Sequence, residues 1–127
     1  MLNRSGVSKT TYAAPKQILA NVEMQVSVGC IVPQTLGVAV GTNKIAKAGT
    51  PIKIDLMNTN TPVAKPEGST VKMNAVLLHD VDVTAGNGNG TALIFGFVNV
   101  NRVESDVAAA ITTAAANNEG KVTFVKL

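Results

Sequence analysis

The sequence predicts a mainly β domain of the α+β class. We expect a compact β-sandwich or barrel-like body, one alanine-rich helix near the C-terminus and an extended N-terminal arm. Two observations carry this prediction: apolar and polar residues alternate with period 2 in several segments, and only the region after residue 103 has helical spacing. Since 127 residues is the size of one domain, we divide the chain into an arm, 1–21, and a single β-rich body, 22–127.

The most regular region consists of two apolar runs, 75–84 and 91–103, joined by a glycine- and asparagine-rich link at 85–90. Gly and Asn accept positive φ at low cost, so the link is typical of a loop and the region predicts a β-hairpin. The second run alternates clearly. One face is predicted to carry Ile94, Gly96, Val98 and Val100, and the other Phe95, Phe97, Asn99 and Asn101.

Alternation predicts further strands at 22–32, 36–40, 43–46, 52–56 and 121–127, with an exposed loop at 57–70. In the first of these strands the residues predicted to face the core are Val22, Met24, Val26, Val28, Cys30 and Val32. The helix is predicted from the spacing of Val103, Val107, Ala110, Ile111 and Ala114. Asn101 with Glu104 resembles a capping box, Ser105 is a rival N-cap, and Gly120 is the expected C-cap.

Composition limits the function classes. A single cysteine, Cys30, excludes an internal disulfide and a paired-cysteine metal site, and we expect it to be a buried apolar residue. With few aromatic residues the core must consist of smaller side chains, so burial between subunits would be a natural supplement. The first twenty residues lack the apolar core of a signal peptide, and no apolar run approaches the ~20 residues that span a membrane. We therefore expect a soluble protein made in a cytoplasm.

Positive charge is concentrated in the arm. Residues 1–20 contain Arg4, Lys9 and Lys16 and no acidic residue, which leaves eight of the 11 basic residues and all eight acidic residues for the rest of the chain. Three separated charges are too few for a nucleic-acid patch. The arm is either a solvated tail or a segment that docks on an acidic partner surface.

Two patterns suggest chemistry, and both have simpler interpretations. His79 lies beside Asp80 and Asp82, but on a strand the histidine would point away from the two carboxylates. The glycine string at 86, 88 and 90 is followed by a strand, whereas a phosphate-binding loop needs a helix there. We expect no active site, no cofactor and no metal.

Phe95 and Phe97 leave two interpretations open, because both faces of their strand are partly apolar. The strand could lie centrally between a sheet and a helix. Alternatively, one face could meet another subunit, since aromatic residues are enriched at interface cores.

Several segments resemble the head-fibre and capsid decoration proteins of tailed bacteriophages. They are KQILA at 16–20, KAGTPI at 47–52, VLLHDVDVT at 76–84, GT at 90–91 and GFVNVNR at 96–102. The similarity runs in order over nearly the whole chain and is most specific at 76–102. The chain is more distantly similar to the small trimeric lambda-type decoration proteins, which share a β-rich body and an N-terminal arm that lies on the capsid.

The resemblance implies a homotrimeric virion protein on the capsid exterior, at three-fold or quasi-three-fold positions between subunits of the major capsid protein, with a cement role and no catalysis. From the charge distribution and the lack of a long apolar run, we also expect no nucleic-acid or membrane partner. The implied capsid-binding residues are Arg4, Lys9, Tyr12, Lys16, Gln17, Ile18 and Leu19, and the implied trimer-interface residues are Phe95, Phe97 and Asn99. Long head fibres carry a C-terminal stalk, and no heptads follow the final strand here, so a decoration protein fits better than a fibre. The alternative is the base of a head fibre, or a display module that binds a host-surface or environmental glycan.

Overall fold

A computed structural model describes residues 17–20 and 24–127, and it confirms the mainly β class with one C-terminal helix. The elements in chain order are β1 (Val26–Val32), β2 (Val38–Val40), β3 (Asn43–Ala46), β4 (Pro51–Ile52), β5 (Ala75–Leu77), β6 (Val81–Asp82), β7 (Gly88–Asn99), α1 (Ser105–Ala114) and β8 (Lys121–Val125). Short 3₁₀ turns occupy Gln34–Leu36, Val100–Arg102 and Ala115–Asn117.

The larger sheet is built around the long strand β7. Its order is β1-β7-β5-β4, and β8 runs parallel to the second half of β7, from the pair Phe95–Lys121 onward. Residue Leu19 forms an antiparallel bridge with Val98, so residues 18–20 lie on the same edge of β7 as β1. The second half of β7 is therefore flanked on one edge by the chain just before β1 and on the other by β8.

The smaller sheet has the order β2-β3-β6 and packs on one face of the larger sheet. Their shared core contains Cys30, Val32, Leu77 and Ala92 from the larger sheet and Ala46 and Val81 from the smaller one. We call this the inter-sheet core. Two sheets enclosing one apolar core form the sandwich that the alternation predicts.

A second apolar cluster lies on the opposite face of the larger sheet. Its buried members include Val76, Leu93, Val98 and Val122, and the partly buried Val103 and Ala114 pack against it. Because β5 alternates between the two clusters, with Ala75 and Leu77 in one and Val76 in the other, it is a central strand covered on both faces.

The predicted hairpin is only partly correct. β5 pairs with β7 through Val76–Leu93 and Leu77–Ala92, but the chain then crosses over, and β6 joins β3 in the smaller sheet. The predicted loop is also shorter, since β7 begins at Gly88. A Cβ on Gly90 would lie 2.9 Å from the side chains of Val32 and Val81, so this glycine permits close packing rather than a turn.

The predicted two faces of the second run exchange partway along β7. Opposite β1, Val26 pairs with Phe95 while Ser27 pairs with Leu93, so β7 carries one extra residue, a β-bulge. Ile94 therefore packs on the inter-sheet core, whereas Val98 lies in the cluster on the other face. One inserted residue reverses the face of every side chain that follows.

The burial predicted for β1 is complete only in its second half. Cys30 and Val32 are buried and Val28 is partly buried against the inter-sheet core, but Met24 and Val26 are about half exposed. Val22 lies outside the described residues. Two other predicted strands have different bounds in the structure. Leu36 ends a 3₁₀ turn instead of beginning a strand, and Leu56 lies beyond β4 and is exposed. Alternation marks the apolar side of a strand, and the rest of the fold decides whether that side is covered.

The helix ends differ from the prediction, although Val107 and Ile111 are buried as expected. The N-cap is Glu104, whose side chain makes no capping hydrogen bond, and Asn101 lies in the preceding 3₁₀ turn. Gly120 is not a C-cap, because the helix continues into the 3₁₀ turn at Ala115–Asn117. Gly120 instead lies against the backbone of Asn74, where a Cβ would approach the carbonyl oxygen to 2.4 Å.

Candidate interaction surfaces

The predicted capsid-binding set is divided between two regions. Arg4, Lys9, Tyr12 and Lys16 lie outside the described residues. Gln17 is exposed, and its side-chain oxygen Oε1 accepts a hydrogen bond from the Leu19 N–H at 2.9 Å. Gln17 is thus the member of the set whose side chain is both described and at the surface.

Ile18 and Leu19 belong to the interior of the body. Their exposed fractions are 0% and 3%, and both lie in the cluster around Val98. The backbone fixes them there, because the Asn99 N–H donates to the Ile18 carbonyl and the Ala20 N–H donates to the Phe97 carbonyl, each at 2.9 Å. With their side chains inside their own chain, Ile18 and Leu19 do not offer a capsid-binding surface in this conformation, and the segment 17–20 is part of the folded body rather than a free arm.

The predicted trimer-interface residues differ strongly in exposure. Phe95 is 41% exposed, Phe97 is half-buried and Asn99 is 3% exposed. The Asn99 side-chain oxygen Oδ1 accepts from the N–H groups of Asn101, at 3.0 Å, and Leu127, at 3.3 Å. The Asn99 side chain is therefore used for hydrogen bonds within its own chain at the end of β7. Of the three predicted residues, Phe95 is the one that presents a large apolar surface.

Phe95 lies in a shallow groove of about 350 Å³, which we call the Phe95 groove. Its apolar walls are Val26, Leu56 and Ile94, and Glu119 and Lys121 lie at its rim. Two further exposed apolar residues adjoin these walls in sequence, Met24 at 50% and Met57 at 95% exposure. Much of the exposed bulky apolar surface of the described residues is therefore carried by the groove walls and their sequence neighbours.

The sequence did not identify this groove. Val26 and Leu56 alternate with polar residues in the same way as core residues do. Val26 is exposed because it lies in the uncovered first part of β1, and Leu56 is exposed because it lies beyond the end of β4. The available signal was the short distance from Leu56 to the predicted loop at 57–70, which places it at the end of its strand.

An ion pair borders the groove. Lys53 donates a hydrogen bond to Glu119, and this bond, helped by the nearby charges of Lys53 and Lys72, lowers the pKa of the Glu119 carboxyl. Both side chains are well exposed, so the pair adds little to stability. The rim of the groove is thus mixed in charge, with an apolar interior.

The residues around His79 do not converge on one chemical centre. Asp80 lies in the connection between the two sheets and accepts a hydrogen bond from the Ala48 N–H at 2.7 Å. Asp82 accepts from the Thr84 hydroxyl at 2.6 Å and the Thr84 N–H at 2.9 Å, which lowers the pKa of its carboxyl. The carboxylates of Asp80 and Asp82 therefore accept hydrogen bonds from two different segments of the chain. Among residues 17–20 and 24–127, no group of three or more His, Cys, Asp or Glu side chains is placed to hold a metal ion.

A second, larger groove of about 430 Å³ lies beside α1. Leu36, Val38 and Val107 supply apolar lining, and Lys47 donates to Asp106 at 3.1 Å on its border. This hydrogen bond from Lys47 is the main reason why the pKa of Asp106 is lowered. We call this the α1 groove. It joins α1 to residues near β2, and no pattern in the sequence predicted it.

Comparison of the chain with protein-family models and with curated proteins found no match. In the part of the chain that the structure describes, no helix has the length and apolar character needed to cross a membrane.

Proposed function

We propose that this protein is a homotrimeric decoration protein bound to the exterior of a phage capsid, where it bridges subunits of the major capsid protein and stabilises the shell. The observation that carries the proposal is the ordered resemblance at 76–84 and 96–102. In the structure the first segment spans β5, the crossing and β6, and the second covers the end of β7 with the turn after it. The resembling residues thus form the framework that joins the two sheets.

The character of the surface supports a binding role of this kind. The exposed residues of the Phe95 groove provide an apolar surface with a mixed-charge rim, a combination typical of protein interfaces. Identical weak contacts repeated over a shell sum by avidity, so no single contact has to be strong. The mechanism we propose is mechanical: each trimer adds contact area between neighbouring capsomers.

The basic segment before Gln17 is our proposed capsid contact. It carries Arg4, Lys9 and Lys16 without an acidic residue, which suits an acidic shell surface. Because Ile18 and Leu19 are core residues of the body, we limit the proposed docking segment to residues 1–17.

Co-sedimentation with purified expanded capsids tests the proposal. We expect the intact protein to sediment with capsids, and a variant lacking residues 1–16 to remain folded and lose binding. A chain with Arg4→Ala, Lys9→Ala and Lys16→Ala should also bind more weakly, and its loss should grow with salt. The matched control is Lys126→Ala, which removes an exposed cation outside the segment and should bind normally.

Two results would contradict the proposal in different ways. If the intact protein stays in the supernatant with every capsid form, the decoration role is wrong. If the truncated variant binds as well as the intact protein, the role stands and the docking segment is wrong. The truncation has to stop at residue 16, because removing Ile18 from the core is expected to cost about 2–5 kcal/mol and would confuse unfolding with lost binding.

The α1 groove favours one alternative, a module that displays a glycan-binding surface. Thr35, Thr50 and Lys65 place polar groups along its apolar floor. The described residues that line the groove include no aromatic side chain on which a sugar ring could stack. Binding on a glycan array that is lost in Thr50→Ala and Lys65→Ala variants would establish this alternative, and an array without signal would remove it.

A further inference from the structure

The outer edge of β1 is an open strand edge. The Ile31 carbonyl accepts a hydrogen bond from the Val63 N–H at 3.0 Å, on the side of β1 that faces away from β7. In agreement, the carbonyl of Thr91, which pairs with Gly29, is directed away from β1 and accepts from the Leu78 N–H. Since backbone groups alternate in direction along a strand, Ser27 and Gly29 also direct their N–H and C=O groups outward.

No partner for these outward groups is present among the described residues, and both Ser27 and Gly29 are exposed. Natural sheets usually protect such an edge with charged residues or proline. The seven residues of β1, VSVGCIV, contain neither. The face of the sheet at Gly29 is open as well, since a Cβ built there would meet no atom within 4 Å.

β2 forms a second open edge, at the border of the smaller sheet. Lys44, the partner of Ala39, directs its backbone toward β6, where its carbonyl accepts from the Val83 N–H at 2.9 Å. The N–H and C=O of Ala39 therefore face outward. Ala39 is flanked by Val38 and Val40, which are 40% and 47% exposed, and β2 also carries no charge.

We infer that a second copy of this chain docks by strand addition, with the β2 edge of one copy pairing to the Ser27–Gly29 edge of β1 in the next. In strand addition, backbone hydrogen bonds provide affinity, and pockets beside the edge take alternate side chains of the added strand. The Phe95 groove provides such a pocket, because Val26 at the β1 edge is one of its walls. The apolar side chains of Val38 and Val40 from the second copy could pack against the apolar walls of the Phe95 groove.

The two edges are different surfaces, so the contact is head-to-tail. A single contact of this type leaves one β1 edge and one β2 edge unpaired, so further copies can add until the ring closes. The inference rests on the proposed function for the number of copies, and it deepens that function because it supplies the contact between neighbouring copies in the trimer. The test below involves no capsid, so it can fail while capsid binding succeeds, and the reverse also holds.

The experiment measures native mass by light scattering for variants with a charge on either edge. We expect a wild-type mass near three copies of the 13.1 kDa chain. Val26→Lys and Val40→Glu should each reduce this mass to that of one chain, since each places an unpaired charge in an apolar contact. The chain that carries both substitutions should recover the mass of the trimer, because every contact then joins a lysine to a glutamate.

Leu127→Lys is the matched control, because it charges an apolar residue that is 77% exposed and lies on neither edge. Its mass should equal that of wild type, and circular dichroism should be the same for all variants. A monomeric wild type would overturn the inference. A Val40→Glu chain with the wild-type mass would also overturn it, since that result would mean that the contact joins two β1 edges and does not involve Val40. So would a double variant as monomeric as Val26→Lys, since the lysine and the glutamate would then not meet in the contact.

Discussion

The two halves of β1 have the same alternating pattern and opposite environments. In the second half, Cys30 and Val32 are buried in the inter-sheet core. In the first half, Val26 is 49% exposed although it continues the same side of the pattern. The difference is in what surrounds them: the buried Val63 from the 57–70 loop packs in this core and bonds to Ile31, and among the described residues no comparable cover lies along Ser27–Gly29.

The comparison separates the residues that stabilise the monomer from those that are available to a partner. An alternating strand that is covered contributes burial energy within its own chain. The same strand left uncovered, without charge on its edge, is a surface on which another strand can pair. We therefore assign the second half of β1 to folding and the first half to assembly.

The largest expected effect is on the free energy of unfolding. Val32→Ala should lower it by about 2–3 kcal/mol, because two buried methyl groups are lost and a cavity remains. Val26→Ala, which makes the same chemical change on the exposed half, should change it by less than about 0.5 kcal/mol. Urea denaturation at low protein concentration, where the chain is monomeric, measures both, and equal losses would remove the distinction between the halves.

Gly120 and Gly29 differ in the space available to a side chain, so the same substitution should have different effects on stability at the two positions. Gly120→Ala should destabilise the fold by about 1–3 kcal/mol, since the new methyl group would collide with the backbone of Asn74. Gly29→Ala places the same methyl group in empty space and should leave the monomer within about 0.5 kcal/mol of wild type. Thermal unfolding of both variants checks this, and a Gly29→Ala chain as unstable as Gly120→Ala would mean that the face of β1 at Gly29 is already covered.

The smallest expected effect is on the pH dependence of stability. Hydrogen bonds from Thr84, Lys47 and Lys53 lower the pKa values of Asp82, Asp106 and Glu119 in the folded chain. A lowered folded pKa stabilises above the unfolded value, and this contribution is lost as the pH falls through the folded pKa. Unfolding free energy should therefore decline gently below the ordinary values of 3.8 and 4.5.

All three carboxylates are exposed, so the decline should be shallow and partly suppressed by salt. Lys53→Met should flatten the part of the decline that comes from Glu119, as measured by urea denaturation across this range. A stability that instead rises as the pH falls would contradict the assigned hydrogen bonds.

Local patterns predicted the class, the helix and much of the strand content because these depend on periodicity within one segment. The sequence could not predict that β5 and β6 belong to different sheets, since the crossing at 78–80 contains no glycine or proline that would mark a break between two strands. The exchange of faces after Ile94 was also hidden, because a bulge depends on the register with β1.

Prediction of the candidate surfaces from the sequence was less complete, for a related reason. Phe95 was found because an aromatic residue stands out in a chain that has few of them. Ile18 and Leu19 were assigned to the capsid-binding set through the resemblance, and the structure places them in the core of the same chain. The sequence marks residues that need burial, and only the three-dimensional arrangement decides whether their own chain supplies it.

Amide hydrogen exchange at Ser27, Gly29 and Cys30, measured by NMR at high and at low protein concentration, distinguishes an open β1 edge from one that pairs with a second copy. Cys30 directs its backbone toward β7 within the chain and should stay protected at both concentrations. If a second copy adds its strand at this edge, Ser27 and Gly29 should exchange slowly at high concentration and rapidly after dilution, as the added strand dissociates. Rapid exchange of Ser27 and Gly29 at both concentrations would contradict this strand addition.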